Sequence, residues 1–371
     1  MRKISLIIIG FTLPALLSGI VRGAWEFERL SNNAGDSIFP RTAAENSNVF
    51  VVWSDDTFES YDIFSKRSTD GGEHWTFERL SDNPGTSDYS AAAVSGSTLC
   101  AVWEDDSYGN SEVFSKISTD GGNTWSFQRI SDNSGDSSRP AISAAAGSIY
   151  VAWDDNTFGN FEIFLKRSTD GGASWSFHRL TDNPGLSRFP EIVASGSNVY
   201  LVWSDSTFGN YDIFFKKSTD GGNTWDFRRL SDNPGDSYGA DVGVSESNVY
   251  VVWYDNTYGF TNYEVFFRRS TDGGAGWSFQ RLSNNSNSSF SPRLAVSGSN
   301  VFVVWYDNYF VDFEIFSKLS TNGGSVWNFE RLSDNSGQAS APSPAISGNN
   351  LYVSWYDSTF AENQIFFKRG P

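Results

Sequence analysis

The chain is poor in the residues that most often cross-link or catalyse. A single cysteine, Cys100, leaves no partner for an intramolecular disulfide. Two histidines, His74 and His178, give little material for a Ser-His-Asp triad or a zinc site. The glycine pairs lie between strand-like runs, not at strand-to-helix turns, so no phosphate-binding loop is expected. Cations are scarce: 27 Lys and Arg face 44 Asp and Glu, a net charge of −17. Such a surface repels nucleic acid and anionic lipid, so neither is an expected partner. Long apolar runs are also missing after the first two dozen residues. Met1-Arg2-Lys3 leads into the apolar stretch Ile4 to Val21, interrupted by Pro14, and Val21-Arg22-Gly23 places compact residues before Ala24. The pattern predicts a secretory signal peptide over residues 1–23. An uncleaved anchor is the alternative, because the run is close to bilayer-spanning length. Cleavage would remove Arg2, Lys3 and Arg22 and take the charge from −17 to −20. No low-complexity linker divides residues 24–371, which read as one secreted or cell-surface domain, expected to be a monomer.

Aromatic residues are abundant instead, with 14 Trp, 15 Tyr and 31 Phe. Trp53, Trp103, Trp153, Trp203, Trp253, Trp305 and Trp355 recur every 50 residues, with one step of 52. A second series from Trp25 through Trp75 to Trp327 keeps the same step, which defines seven units. Each unit has four strand signals. In the fourth they are A, Pro190 to Ser195; B, Asn198 to Ser204; C, Tyr211 to Lys217; and D, Trp225 to Leu230. Strand B is apolar on both faces and should be buried on both. Four-stranded units at this period fit propeller blades. Trp25 to Leu30 reads as a strand D with no blade before it, and Gln364 to Arg369 as a strand C with no strand D after it. Their pairing would close a seven-bladed, all-β propeller and remove both open edges.

Between strands C and D lies Ser218-Thr219-Asp220-Gly221-Gly222-Asn223-Thr224-Trp225. Five further copies begin at Ser68, Ser118, Ser168, Ser270 and Ser320, and place Asp70, Asp120, Asp170, Asp272 and Asn322 where this one has Asp220. The carboxylate can accept backbone N–H bonds and the glycines supply positive φ, so each copy reads as a structural hairpin turn. The motif S-x-D-x-G-x-x-W resembles the Asp-box, or BNR repeat, of sialidases and other β-propellers. Runs such as Val251-Val252-Trp253-Tyr254-Asp255 and Ile213-Phe214-Phe215-Lys216-Lys217 are similar to those of exported bacterial and archaeal repeat propellers. The resemblance implies a sialidase-like propeller whose boxes are turns on the blade periphery. For a sialidase it would also imply an arginine triad, a Tyr–Glu pair and an Asp acid/base. The nearest match to the family's Phe/Tyr-Arg-Ile-Pro motif is Ser187-Arg188-Phe189-Pro190, which lacks the leading aromatic.

The seven units form an internal alignment, and the start of strand A is where they diverge. Two residues before its usual Pro stand Ile38, Asp88, Ser138, Arg188, Tyr238, Phe290 and Ser340. Next come Phe39, Tyr89, Arg139, Phe189, Gly239, Ser291 and Ala341, and after the Pro position Arg41, Ala91, Ala141, Glu191, Asp241, Arg293 and Ser343. Strand A lines the axis of a propeller, so these positions should crowd its central opening. The ligand-binding candidates are Arg41, Asp88, Tyr89, Arg139, Arg188, Glu191, Tyr238, Asp241 and Arg293. Asp88, Glu191 and Asp241, with Tyr89 and Tyr238 near them, are the only candidates for glycoside hydrolysis, Asp241, Glu191 and Tyr238 foremost, although Arg188 and Glu191 are close enough in sequence to pair with each other. Drift at exposed loop positions is the competing explanation.

A second repeated pattern is acidic. Trp-x-Asp ends strand B and supplies Asp55, Asp105, Asp155, Asp205, Asp255, Asp307 and Asp357, while Asp82, Asp132, Asp182, Asp232 and Asp334 follow strand D. These carboxylates either close turns or bind calcium, whose hard character suits oxygen ligands. No catalytic metal motif is present. The sequence thus reads as a non-catalytic recognition module for a glycan or a surface protein. An exo-acting hydrolase of sialidase type and a cell-envelope interaction scaffold are the alternatives.

Overall fold

The computed structural model describes residues 24–370 except 260, 310 and 311. The expected leader, residues 1–23, lies outside the described residues. The described chain forms 28 strands in seven separate four-stranded antiparallel sheets. Blade 1 starts with strand A at Ser37 and blade 7 with strand A at Ala339. Blade 4 shows the common plan: A, Ser187–Ser195; B, Asn198–Asp205; C, Asp212–Ser218; D, Asp226–Arg229, hydrogen-bonded in that order. Strand A starts three residues earlier than its sequence pattern suggests, because a bulge lets pairing resume beyond Pro190.

The ring closes through its first and last strands. Glu26–Arg29 pairs with Gln364–Gly370, in the register Glu26↔Arg369 to Arg29↔Phe366. In blades 1 to 6 a buried acid opens strand C and meets an arginine from strand D, as Asp212 meets Arg229. Blade 7 has Gln364 there, and its Oε1 accepts from Ser31 Oγ (3.1 Å) and the Asn33 N–H (3.4 Å).

The core lies between blades. Tyr150 and Leu165 of blade 3 pack with Leu201, Trp203 and Phe214 of blade 4. All residues from Val199 to Trp203 are buried, so strand B is covered on both faces. Truncating one such Trp to Ala would cost about 3–5 kcal/mol. Five tryptophans of the second series stitch blades together: Trp175 Nε1 donates to Gln128 Oε1 of the preceding blade (2.8 Å) and Trp25 Nε1 to Glu330 Oε1 (2.9 Å), and Trp75, Trp125 and Trp327 do likewise, whereas Trp225 and Trp277 donate to a carbonyl of their own turn.

The turns between strands C and D have one hydrogen-bond plan. Asp220 Oδ1 accepts from Ser218 Oγ (2.7 Å), Asn223 N–H (3.0 Å) and Thr224 N–H (2.9 Å), while Ser218 Oγ accepts from Gly222 N–H (2.7 Å). Gly221 and Gly222 sit at φ 72° and 92°, where a side chain would be strained. Asn322 reproduces the pattern with its amide oxygen.

Candidate functional site

The divergent positions converge because of a bulge at the same place in every blade. In blade 1, Ile38 pairs with Ser54 and Arg41 with Val52, so Phe39 and Pro40 together oppose Trp53. The first bulge residue takes a left-handed backbone in all seven blades: Phe39 (φ 52°), Tyr89 (48°), Arg139 (52°), Phe189 (58°), Gly239 (56°), Ser291 (46°) and Ala341 (48°). Only one of the seven is glycine. Non-glycine residues in this region cost roughly 1–3 kcal/mol and persist where surrounding structure enforces them.

These residues rim an axial pocket of about 270 Å³. One side is an arc from blades 1 to 4. Phe39 stacks on Tyr89 (5.3 Å between centroids), and Arg139 lies over both Tyr89 (5.6 Å) and Phe189 (4.7 Å). The other side, Gly239, Ser291 and Ala341, is small, and Tyr254 reaches the pocket behind it. Arg41, Glu191 and Arg293 supply its charged lining beside Arg139, and Pro40, Pro140, Pro190 and Pro342 line it as well. Arg41 Nη2 donates to Glu191 Oε1 at 3.1 Å and Arg293 Nη1 donates to the same oxygen. Burial opposes the Glu191 charge, but Arg293 and Arg41 outweigh it and hold the carboxyl below its usual range. Asp241 is different. Burial, with Glu191 nearby, pushes its carboxyl up to about 6, against the pull of Arg293.

Of the nine expected ligand-binding residues, Arg41, Tyr89, Arg139, Glu191 and Arg293 line this pocket. The other four stand behind its wall. Asp88 accepts from Ser54 Oγ (2.6 Å) and the Tyr89 N–H (2.7 Å). Asp241 accepts the backbone N–H groups of Val242 and Leu294, both at 2.8 Å. Tyr238 packs between Tyr211 and Tyr254. Arg188 does not pair with Glu191. Its Nε donates to Asp154 Oδ2 at 3.2 Å and its guanidinium covers Phe161. The bulge explains this correction: it separates residues 188 and 191 onto different pairing registers, and Asp154 of the preceding blade is nearer.

Asp154 belongs to a group that the sequence reading passed over, the middle residue of Trp-x-Asp. Across the units it is Ser54, Glu104, Asp154, Ser204, Tyr254, Tyr306 and Tyr356. Its variation is as visible in the sequence as that of strand A and is the signal that marks this position. Ser54, Glu104, Asp154, Tyr254 and Tyr356 each contact the start of strand A in the next blade. Glu104 accepts the Arg139 N–H at 2.9 Å, and burial pushes its carboxyl up to about 7 despite that bond and the arginine's charge. Asp154 Oδ2 also accepts the Phe189 N–H (3.1 Å) and meets Arg139 Nη1 (3.5 Å). Tyr356 sets its ring edge-on to Phe39.

The constant Asp residues tie the end of strand B to the connection that leads into strand A. Asp55 accepts from Asn33 Nδ2, Ser37 Oγ and Trp53 Nε1 through Oδ2, and from Thr57 N–H and Oγ1 through Oδ1. Five donors exceed the roughly four lone-pair sites of a carboxylate, so Asp55 offers no vacancy for calcium. Among the described residues only Asp70, Glu73 and His74 bring three potential metal ligands together, on the exposed first turn.

No protein-family model matches the chain, and no curated protein matches it. Its fold matches solved structures. A PL25 ulvan lyase, a polysaccharide lyase, aligns with a TM-score of 0.63 at 10% identity, over 90% of this chain and 94% of that one. The phage phi92 endosialidase gives 0.58 at 10% identity over 93% and 68%. Trypanosoma rangeli sialidase gives 0.53 at 12% identity over 90% and 55%, so this chain spans just over half of that enzyme. At such identities the likeness is one of fold: the chain is similar to sialidase-like and polysaccharide lyase propellers.

Proposed function

We propose that this chain is an exported, Asp-box-type propeller that binds a glycan in the axial pocket without turning it over. One observation carries the reading: a nearly sevenfold-symmetric molecule breaks its symmetry around one pocket, with aromatic and arginine side chains on a strained rim. An aromatic arc beside paired polar groups suits a sugar, which has an apolar C–H face and a rim of hydroxyls. The solved neighbours, named as polysaccharide lyases and sialidases, lend support through what they act on. The arginines Arg41, Arg293, Arg139 and Arg188 each meet a carboxylate already. A neutral glycan therefore fits better than an acidic one, which would need a free cation. The binding test is a glycan array on the chain from Ala24, followed by calorimetry with the best ligand. Arg139→Ala or Tyr89→Ala should weaken binding about tenfold, near 1.4 kcal/mol. Unchanged affinity in both variants would remove the axial pocket as the site.

A hydrolase of sialidase type is the second reading. Its support is the divergence of Asp241, near 6, from the depressed Glu191, since paired carboxyls pushed apart are the usual acid/base arrangement. Against it, both carboxyls are engaged by backbone donors or arginines. No turnover of a fluorogenic sialoside is expected. Turnover abolished by Asp241→Asn or Glu191→Gln would establish the hydrolase instead.

A further inference from the structure

A second feature repeats faithfully where the axial pocket does not. In each blade a Phe of strand D is about half exposed, from Phe127 (48%) to Phe329 (60%). Beside it a second exposed ring comes from the loop between strands B and C: Phe58, Tyr108, Phe158, Phe208, Tyr258 and Phe360. The sixth unit has Phe310 at this position in sequence, outside the described residues. In blade 4, Phe208 and Phe227 both stack on Phe214 (6.1 and 5.4 Å), and Arg229 lies 4.7 Å over Phe208. The rings form one wall of a cleft of about 310 Å³ between blades 3 and 4. The opposite lip carries Asn183 and Asp182, whose carboxylate is held by Arg179 (2.8 Å) yet is 83% exposed. The corresponding cleft between blades 5 and 6, with Trp305, Phe316 and Phe329 on one wall and Asn284 in place of the lip carboxylate, measures about 790 Å³.

We propose that these interblade clefts are a repeated set of binding sites for neutral pyranose units of a polysaccharide, separate from the axial pocket. Size, charge and spacing choose this occupant. Each volume lies in the range of small-ligand sites. Aromatic rings against an exposed carboxylate offer an apolar platform and a hydroxyl acceptor, which match the two surfaces of a sugar ring. The lip carboxylates and the −17 charge repel anionic polymers and lipids. A second copy of the chain would bring the same charge, and clefts separated blade by blade do not merge into the roughly 800 Å² per partner that a stable protein interface needs. A polymer of repeating sugars can engage several clefts at once, so weak sites would add up by avidity.

The test is co-sedimentation of the full chain with three insoluble neutral polysaccharides: cellulose, chitin and a β-1,3-glucan. Retention on at least one is expected. Phe208→Ser alone should weaken it less than about twofold, whereas Phe58→Ser, Tyr108→Ser, Phe158→Ser and Phe208→Ser together should weaken it at least about 30-fold. Swapping Phe58, Phe158 and Phe208 to Tyr, the residue already present at Tyr108 and Tyr258, should preserve retention. Asp82→Ala, Asp182→Ala and Asp232→Ala combined provide an exposed set less prone to misfold, and should also weaken it. No retention on any of the three materials overturns the proposal. So does full retention by the lip set, or by a folded quadruple-serine variant. Loss caused by Arg139→Ala but not by the cleft substitutions overturns it as well.

Discussion

At Glu191 two guanidiniums share one carboxylate, and together they outweigh its burial and hold it below its usual range. Comparing units in the sequence marks positions 41, 191, 241 and 293 as odd members of a repeat. Which of them meet depends on the curvature of the whole ring, and Arg41 reaches Glu191 from three units away. Glu104 and Asp154 are masked in the sequence by the constant Asp that follows each of them in Trp-x-Asp. The turn aspartates are the opposite case, since local chemistry alone dictates them. Asp170 is held down to about 2 by the hydroxyl and N–H of Ser174 and by Ser168. A depressed carboxyl stabilises the fold above its unfolded value, near 4, and that contribution fades as pH falls through the folded value. Melting temperature should therefore drop between about pH 4 and pH 2. Asp170→Asn, which copies the natural Asn322, should melt lower at pH 5 but show a shallower acid slope. An identical slope would mean that this turn does not contribute to acid sensitivity.

Strand A shows what a one-dimensional pattern hides. Its alternation stops at the Pro position, so the sequence expectation began there, at Pro190. The structure carries pairing back to Ser187 across a two-against-one bulge. No glycine marks that bulge in six of the seven blades, although its first residue is left-handed in all of them. A turn-forming residue would be the usual clue to such a conformation, and its absence left the bulge unread. The same fact separates stability from function. Arg139→Gly should relieve backbone strain while losing the side chain's contacts with Tyr89, Phe189 and Asp154. The expected result is stability within about 1 kcal/mol of the parent in urea titration, with glycan affinity reduced as strongly as in Arg139→Ala. A loss above about 3 kcal/mol would mean that Arg139 chiefly holds the fold together.

The whole ring was the most legible level, because tryptophans every 50 residues and two complementary half-blades leave few other closures. Deleting Ala24 to Asn33 removes Glu26–Arg29 from blade 7 and the Leu30 N–H bond to Ile365 O (2.7 Å). It should lower the melting temperature clearly and promote association through the bared edge, read by calorimetry and light scattering. An unaltered melting point in a monomeric deletion variant would mean that the seal is dispensable. The seal also has a kinetic side. Six strands D follow their strand C through a short turn, whereas Ser31 lies 334 residues from its partner Ile365. Loop-closure entropy grows with that separation, so the last blade should be the slowest to complete. Until it does, each molecule presents a free strand and a matching vacancy, and a neighbour's strand fits as well as its own. Only effective concentration, on the millimolar scale for a short tether and lower for so long a loop, favours self-closure. Dilute refolding should thus yield single rings, and crowded refolding pairs that have exchanged their first strands, which size-exclusion chromatography would separate. Both products satisfy every hydrogen bond of the closing register, so neither has a thermodynamic reason to convert quickly into the other.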